Sequence, residues 1–112
     1  MLNRSAVIIY YNQPFIDWIN AVDPNPEHKL TLEEANNEAT VYLIDAEEQE
    51  EFEKWLESNH AIIFEEELNG WYTDPVLWPQ DRALETLKEW CSFEFHSVVI
   101  DLGRRLIHDD EK

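Results

Sequence analysis

Cysteine occurs once in the 112 residues, as Cys91, so no intramolecular disulfide can form and nothing requires an oxidising compartment. Set between Trp90 and Ser92, it reads as a small buried hydrophobe, not a nucleophile. Glycine occurs twice, at Gly70 and Gly103. No glycine-rich loop can therefore cradle a phosphate, which disfavours phosphoryl-transfer and dinucleotide chemistry. The histidines at 28, 60, 96 and 108 form no close pair and no His-Glu-x-x-His motif. Glu65, Glu66 and Glu67 are consecutive and would not face one another on a helix, so no metal site and no cofactor are expected.

Positive charge is scarce as well. Eight Lys and Arg stand against 25 Asp and Glu, a net charge of −17. Such a field repels phosphate backbones and anionic lipid and attracts basic partners, so neither direct nucleic-acid binding nor membrane contact is expected. Long apolar runs are missing too. The stretch MLNRSAVIIYY offers six apolar residues before Asn12, short for a signal core or a membrane span, and a cytoplasmic location follows as the expectation.

What is present suffices for a core. The apolar share is 44% and the aromatic share 12%, unlike a disordered acidic chain. A domain of this length buries roughly 65% of its unfolded surface. No repeat and no linker divides the chain, so residues 1–107 are expected to form one domain and 108–112 a flexible acidic tail.

The expected class is α/β, or α+β, with a sheet of about three strands near 5–11, 40–45 and 93–102. Ala6–Tyr11 is continuously apolar, as for a strand covered on both faces and paired through a helical crossover. Val98–Ile100 has the same character, which places the last strand beside the first. Helices are expected near 14–22, 31–37, 46–58, 60–69 and 81–91. Phe15, Trp18, Ile19 and Val22 make one apolar stripe behind Pro14. Thr31-Leu-Glu-Glu34 fits a capping box, with Asn36 and Asn37 closing the short helix. Asp45 is a suitable N-cap, and Ser58 or Asn59 could recap a second helix. In that helix Phe64, Leu68 and Trp71 fall at i, i+4 and i+7, with Gly70 beyond its end. Ala61–Phe64 could also be a short strand, but the glutamates after it favour helix. The apolar loop Thr73–Pro79 should fold back over the core, and Asp81 should cap the next helix. Trp78 and Trp90 are assigned to the core where residues 71–102 meet the first strand.

From Asp45 to Asp74 there are eleven acids and one base, Lys54. Such a surface can serve solubility alone. It can also dock a basic protein, with Glu47, Glu48, Glu50, Glu51, Glu65 and Glu66 as the partner-binding residues. In the extreme form of that reading, the carboxylates stand in for DNA phosphates and inhibit a DNA-binding protein.

At Trp78-Pro79, Arg82, Glu94, His96-Ser97, Val99 and Asp101 the chain resembles a group of small acidic bacterial proteins. There a Trp-Pro-x-x-Arg segment leads into a helix and a Glu-x-His-Ser-x-Val-x-Asp strand. The resemblance extends to Pro14-Phe15, Trp18, the Thr-Val-Tyr-Leu strand and Phe64–Leu68. It implies a self-contained bacterial domain and brings no reaction with it.

The same segment carries the one compact polar set, and with it the enzyme alternative. Glu94 and His96 would share a strand face, and a carboxylate beside an imidazole suits general-base chemistry. With Trp78 as a wall and Arg82 as an anion holder, they could bound a small-molecule or catalytic pocket. Ser97 would point to the opposite face, which disfavours a Ser–His–acid triad. The plainer reading is a satisfied histidine and a structural arginine, and no catalytic residue is assigned.

Overall fold

The computed structural model describes residues 4–23, 27 and 29–103. His28, Arg104, Arg105 and the tail at 108–112 lie outside the described residues. The order of elements is β1 (Ser5–Tyr11), α1 (Gln13–Val22), α2 (Leu32–Asn36), β2 (Thr40–Ile44), α3 (Gln49–Trp71), α4 (Leu84–Trp90) and β3 (Cys91–His96), with a 3-10 turn at Pro75–Leu77. No helix among them is long and apolar enough to cross a membrane.

The three strands form one sheet in the order β2-β1-β3, with β3 beside β1 as expected. Both pairings are antiparallel, β1 facing β2 from Ser5↔Ile44 to Ile9↔Thr40 and β3 from Ala6↔His96 to Tyr11↔Cys91. The fold is therefore α+β, and the parallel pair suggested by the apolar first strand does not form. The connections account for this. Between β1 and β2 lie two helices, which go out and back, so β2 starts where β1 ends. Between β2 and β3 the 23-residue α3, about 34 Å long at 1.5 Å per residue, carries the chain to the other end of the sheet.

All helices pack on one face of the sheet. Val7 and Ile9 of β1, Ile44 of β2 and Cys91 of β3 join Phe15, Ile16, Ile19, Phe52, Leu56, Ile63, Phe64, Leu68 and Leu87 in the buried core. The alternate residues of β1, Ala6, Ile8 and Tyr10, are only half-buried, and Val41 and Leu43 beside them are exposed. Among the described residues the open face has no cover, contrary to the expectation for β1.

Further boundaries differ from expectation for local reasons. The last strand ends at His96 because its ladder reaches Ala6, near the start of β1. Val98 and Ile100, expected as its apolar centre, lie beyond it, 66% and 63% exposed. The two helices expected at 46–58 and 60–69 are one. Asn59 does not recap; its Nδ2 donates to the Trp55 carbonyl at 2.9 Å, satisfying the preceding turn without breaking it. The residue at the N-cap is Glu48, not Asp45, and it makes no side-chain cap bond. Ala61–Phe64 is helical, as favoured. Thr31 and Glu34 do form the capping box. Asp81 lies two residues ahead of the N-cap position, Ala83. It accepts from Thr86 Oγ1 at 2.7 Å and from the Ala83 amide at 3.1 Å, and these bonds, the Thr86 one foremost, hold its carboxyl below the usual range.

Gly70 is likewise not a left-handed cap. It sits inside α3 with negative φ, and a Cβ built on it meets no atom within 4 Å. Gly70→Ala should therefore raise stability, by up to about 1 kcal/mol, through reduced entropy of the unfolded chain and better helix propensity. Urea melts at neutral pH check this, and a lower midpoint would contradict it.

Candidate functional site

The site grows from one glutamate. Glu67 is 5% exposed, the only charged residue among the buried ones described. It belongs on that face by period, three residues after Phe64 and four before Trp71, on the inward stripe of α3. The inward faces of β1 and β2 bring Tyr11 and Tyr42 over it. Tyr11 Oη donates to Glu67 Oε1 at 2.7 Å, and Thr40 Oγ1 donates to the same oxygen at 3.3 Å. Tyr42 Oη donates to Glu67 Oε2 in a short contact. Trp71 Nε1 in turn donates to Tyr11 Oη at 2.9 Å, which fixes the direction of that hydroxyl.

Further bonds anchor the tyrosines. The Tyr11 amide donates to Asn36 Oδ1 at 2.7 Å and its carbonyl accepts from Asn36 Nδ2 at 3.0 Å, so α2 completes the end of β1. The Tyr11 ring stacks on Phe15 at 4.0 Å. Burial first pushes both the Tyr11 and Tyr42 phenols well above their usual value near 10, followed by the Glu67 charge for Tyr11 and by the hydrogen bond to Glu67 and then its charge for Tyr42. They therefore remain protonated donors. Burial first and the Glu67 charge second also raise the Cys91 thiol, which is consistent with an inert buried cysteine.

Around this group lies a cleft of about 370 Å³, lined by Tyr11, Thr40, Tyr42, Glu66, Glu67, Gly70 and Trp71. Its walls are aromatic, its floor is a carboxylate, and Thr40, Glu66 and Trp71 open it to solvent. Among the described residues no Lys, Arg or His forms an ion pair with Glu67; the ion pairs are Arg4–Asp45 and Lys88–Glu53, and His96 is hydrogen-bonded to Glu94. The carboxylate is thus hydrogen-bonded, with no cationic partner among the described residues.

The six carboxylates expected to bind a partner are all exposed. Glu50 and Glu51 lie in the first turn of α3, Glu47 and Glu48 just ahead of it, and Glu65 and Glu66 near its far end. Glu66 alone of them also lines the cleft.

The four residues expected around a pocket are not brought together. Glu94 and His96 meet on the open sheet face at 2.6 Å, each side chain about half exposed. Arg82 Nη1 donates to the Pro79 carbonyl at 2.7 Å and its guanidinium stands over the Trp78 ring at 5.8 Å. Trp78 packs against the core on the helical side, and its Nε1 donates to the Tyr72 carbonyl at 2.7 Å. Ser97 and Asp101 are exposed, the latter accepting from the Gly103 amide at 2.8 Å.

Comparison with protein-family models, with curated proteins and with solved structures finds no match.

Proposed function

We propose that the chain is a non-enzymatic cytoplasmic interaction module that binds a basic protein through the open side of α3. Glu47, Glu48, Glu50, Glu51, Glu65 and Glu66 form its contact residues. The observation that carries this reading is their lack of internal use. All six are exposed, and none forms an ion pair among the described residues, so their charge is unspent within the fold. An array of like charges along one rigid helix and the residues leading into it raises the local concentration of cations and speeds encounter with a basic surface.

The test is capture of partners from a bacterial lysate at low and high salt, by the wild type and by a variant carrying Glu50→Lys, Glu51→Lys, Glu65→Lys and Glu66→Lys. Capture should fall sharply between about 50 mM and 500 mM salt, as screening shortens the reach of surface charge. The variant should lose the same proteins. Capture that ignores salt, or that the variant keeps, overturns the reading. Release of captured proteins from DNA would select the form in which the carboxylates replace phosphates.

A further inference from the structure

We propose that the Glu67 cleft is a receptor for an alkylammonium group, the head and stem of a lysine side chain. This rests on the reading of the chain as a binder of a basic partner and names the chemistry that it accepts.

Three features of the cleft converge on that ligand. The first is charge. A carboxylate 5% exposed and bonded only to neutral hydroxyls lies in a site of reduced dielectric, where a cation is attracted more strongly than in water. Glu66 at the mouth adds to this attraction. The second is the wall. Tyr11, Tyr42 and Trp71 present aromatic surface, which favours a nearby cation and accepts a methylene stem.

The third is the hydrogen-bond count, which selects among cations. A carboxylate offers about four acceptor positions, two on each oxygen. Tyr11 and Thr40 occupy both on Oε1, and Tyr42 occupies one on Oε2. One position on Oε2 remains. A guanidinium binds best as a fork across both oxygens, and here the fork has no second tine to grip. An ammonium needs only a point contact, and can direct its other protons to the Tyr42 hydroxyl oxygen and to Glu66. The Trp71–Tyr11–Glu67 chain orders the floor before the ligand arrives.

The experiment is a titration of isotopically labelled protein, followed by NMR, with the blocked single amino acids Nα-acetyl-lysine methylamide, its arginine counterpart and its norleucine counterpart. Spermidine forms a separate arm, so that a free polyamine is told apart from a protein side chain. The lysine derivative should shift the Trp71 indole N–H and the Gly70 amide and bind at least several-fold more tightly than the arginine one. Norleucine should leave both signals in place. Glu67→Gln should weaken lysine binding about tenfold or more, as loss of a charge-assisted hydrogen bond does. Should that variant fail to fold, Trp71→Ala, at the helix end, removes a wall and must also weaken binding. Equal binding of lysine and norleucine, tighter binding of arginine, stronger binding of spermidine than of the lysine derivative, or unchanged affinity in the folded variant overturns the proposal.

The two readings fail separately. Lysine binding in the cleft without salt-sensitive capture by α3 defeats the docking reading alone. Salt-sensitive capture of proteins without lysine binding in the cleft defeats the cleft alone.

Discussion

Raising the pH from 8 to 11 should remove on the order of 5 kcal/mol of folding stability, enough to unfold an ordinary domain. Cys91, Tyr11 and Tyr42 all have their proton affinity raised by folding, through burial first and then through Glu67, by its charge and, for Tyr42, foremost by its hydrogen bond. In the unfolded chain the thiol ionises near 8.5 and the phenols near 10. Above those values the unfolded state binds fewer protons than the folded one, so the slope of stability against pH is negative. The contribution is complete below about pH 8.5, declines as Cys91 ionises in the unfolded chain, and declines more steeply above about 10 when the tyrosines join. Each group contributes at most about 1.4 kcal/mol per pH unit, and partial exposure of the two tyrosines makes that an upper bound for them. Urea melts at pH 7, 9, 10 and 11 read the slope directly. Tyr42→Phe should flatten it above pH 10, and Glu67→Gln should reduce it over the whole window. Stability unchanged to pH 11 would mean that these groups are far less enclosed than described.

Trp90→Ala should cost about 3 kcal/mol and lower the melting temperature by roughly 10–20 °C. The indole ends α4 at the point where the helical layer closes over β1. Its ring lies 5.5 Å from Phe15, 5.6 Å from Phe64 and 6.1 Å from Trp18. Its carbonyl accepts from the Asn12 amide at 2.8 Å, and Asn12 Oδ1 accepts from Ser92 Oγ, also at 2.8 Å. Removing the ring opens a cavity between α1 and α3 that the connections beside it, Asn12 alone between β1 and α1 and no residue between α4 and β3, are too short to close. Trp78→Ala should cost less, since that ring lies under a loop and a guanidinium. If both variants melt with the wild type while partner capture disappears, the indoles serve recognition, not packing.

Much of this fold was legible because the signals were local. The Thr31–Glu34 box and the stripe of α1 depend on residues three or four apart. The strands at 5–11 and 40–45 stand out by their β-branched and aromatic content. The end of β3 was not legible, because Phe93–Leu102 reads as strand whatever β1 can offer it, and only the register with Ala6 stops it. Glu67 shows the same limit from the other side. In the run Glu65-Glu66-Glu67 nothing in composition marks the third residue. Its place between Phe64 and Trp71 on the inward stripe is the available signal, and its charge masks that signal by arguing for solvent. Tyr11, Thr40 and Tyr42 reach it across 25 to 56 positions of sequence. Such distances become neighbours only through strand pairing, which one sequence does not display.

The absence of a break at Ser58–Asn59 also sets a length standard. A hinge there would let the two acidic ends of residues 45–71 swing toward one cation cluster or away from it. An unbroken helix instead holds Glu50 and Glu65 about 22 Å apart at 1.5 Å per residue. A partner that engages both ends must match this ruler. An extended peptide needs at least about seven residues to do so, at 3.3 Å each. A helix laid alongside needs about four turns, with its basic residues repeated on one face. A partner of the proposed kind would thus need positive charge at two points about 22 Å apart, and a single compact basic cluster would reach only one end.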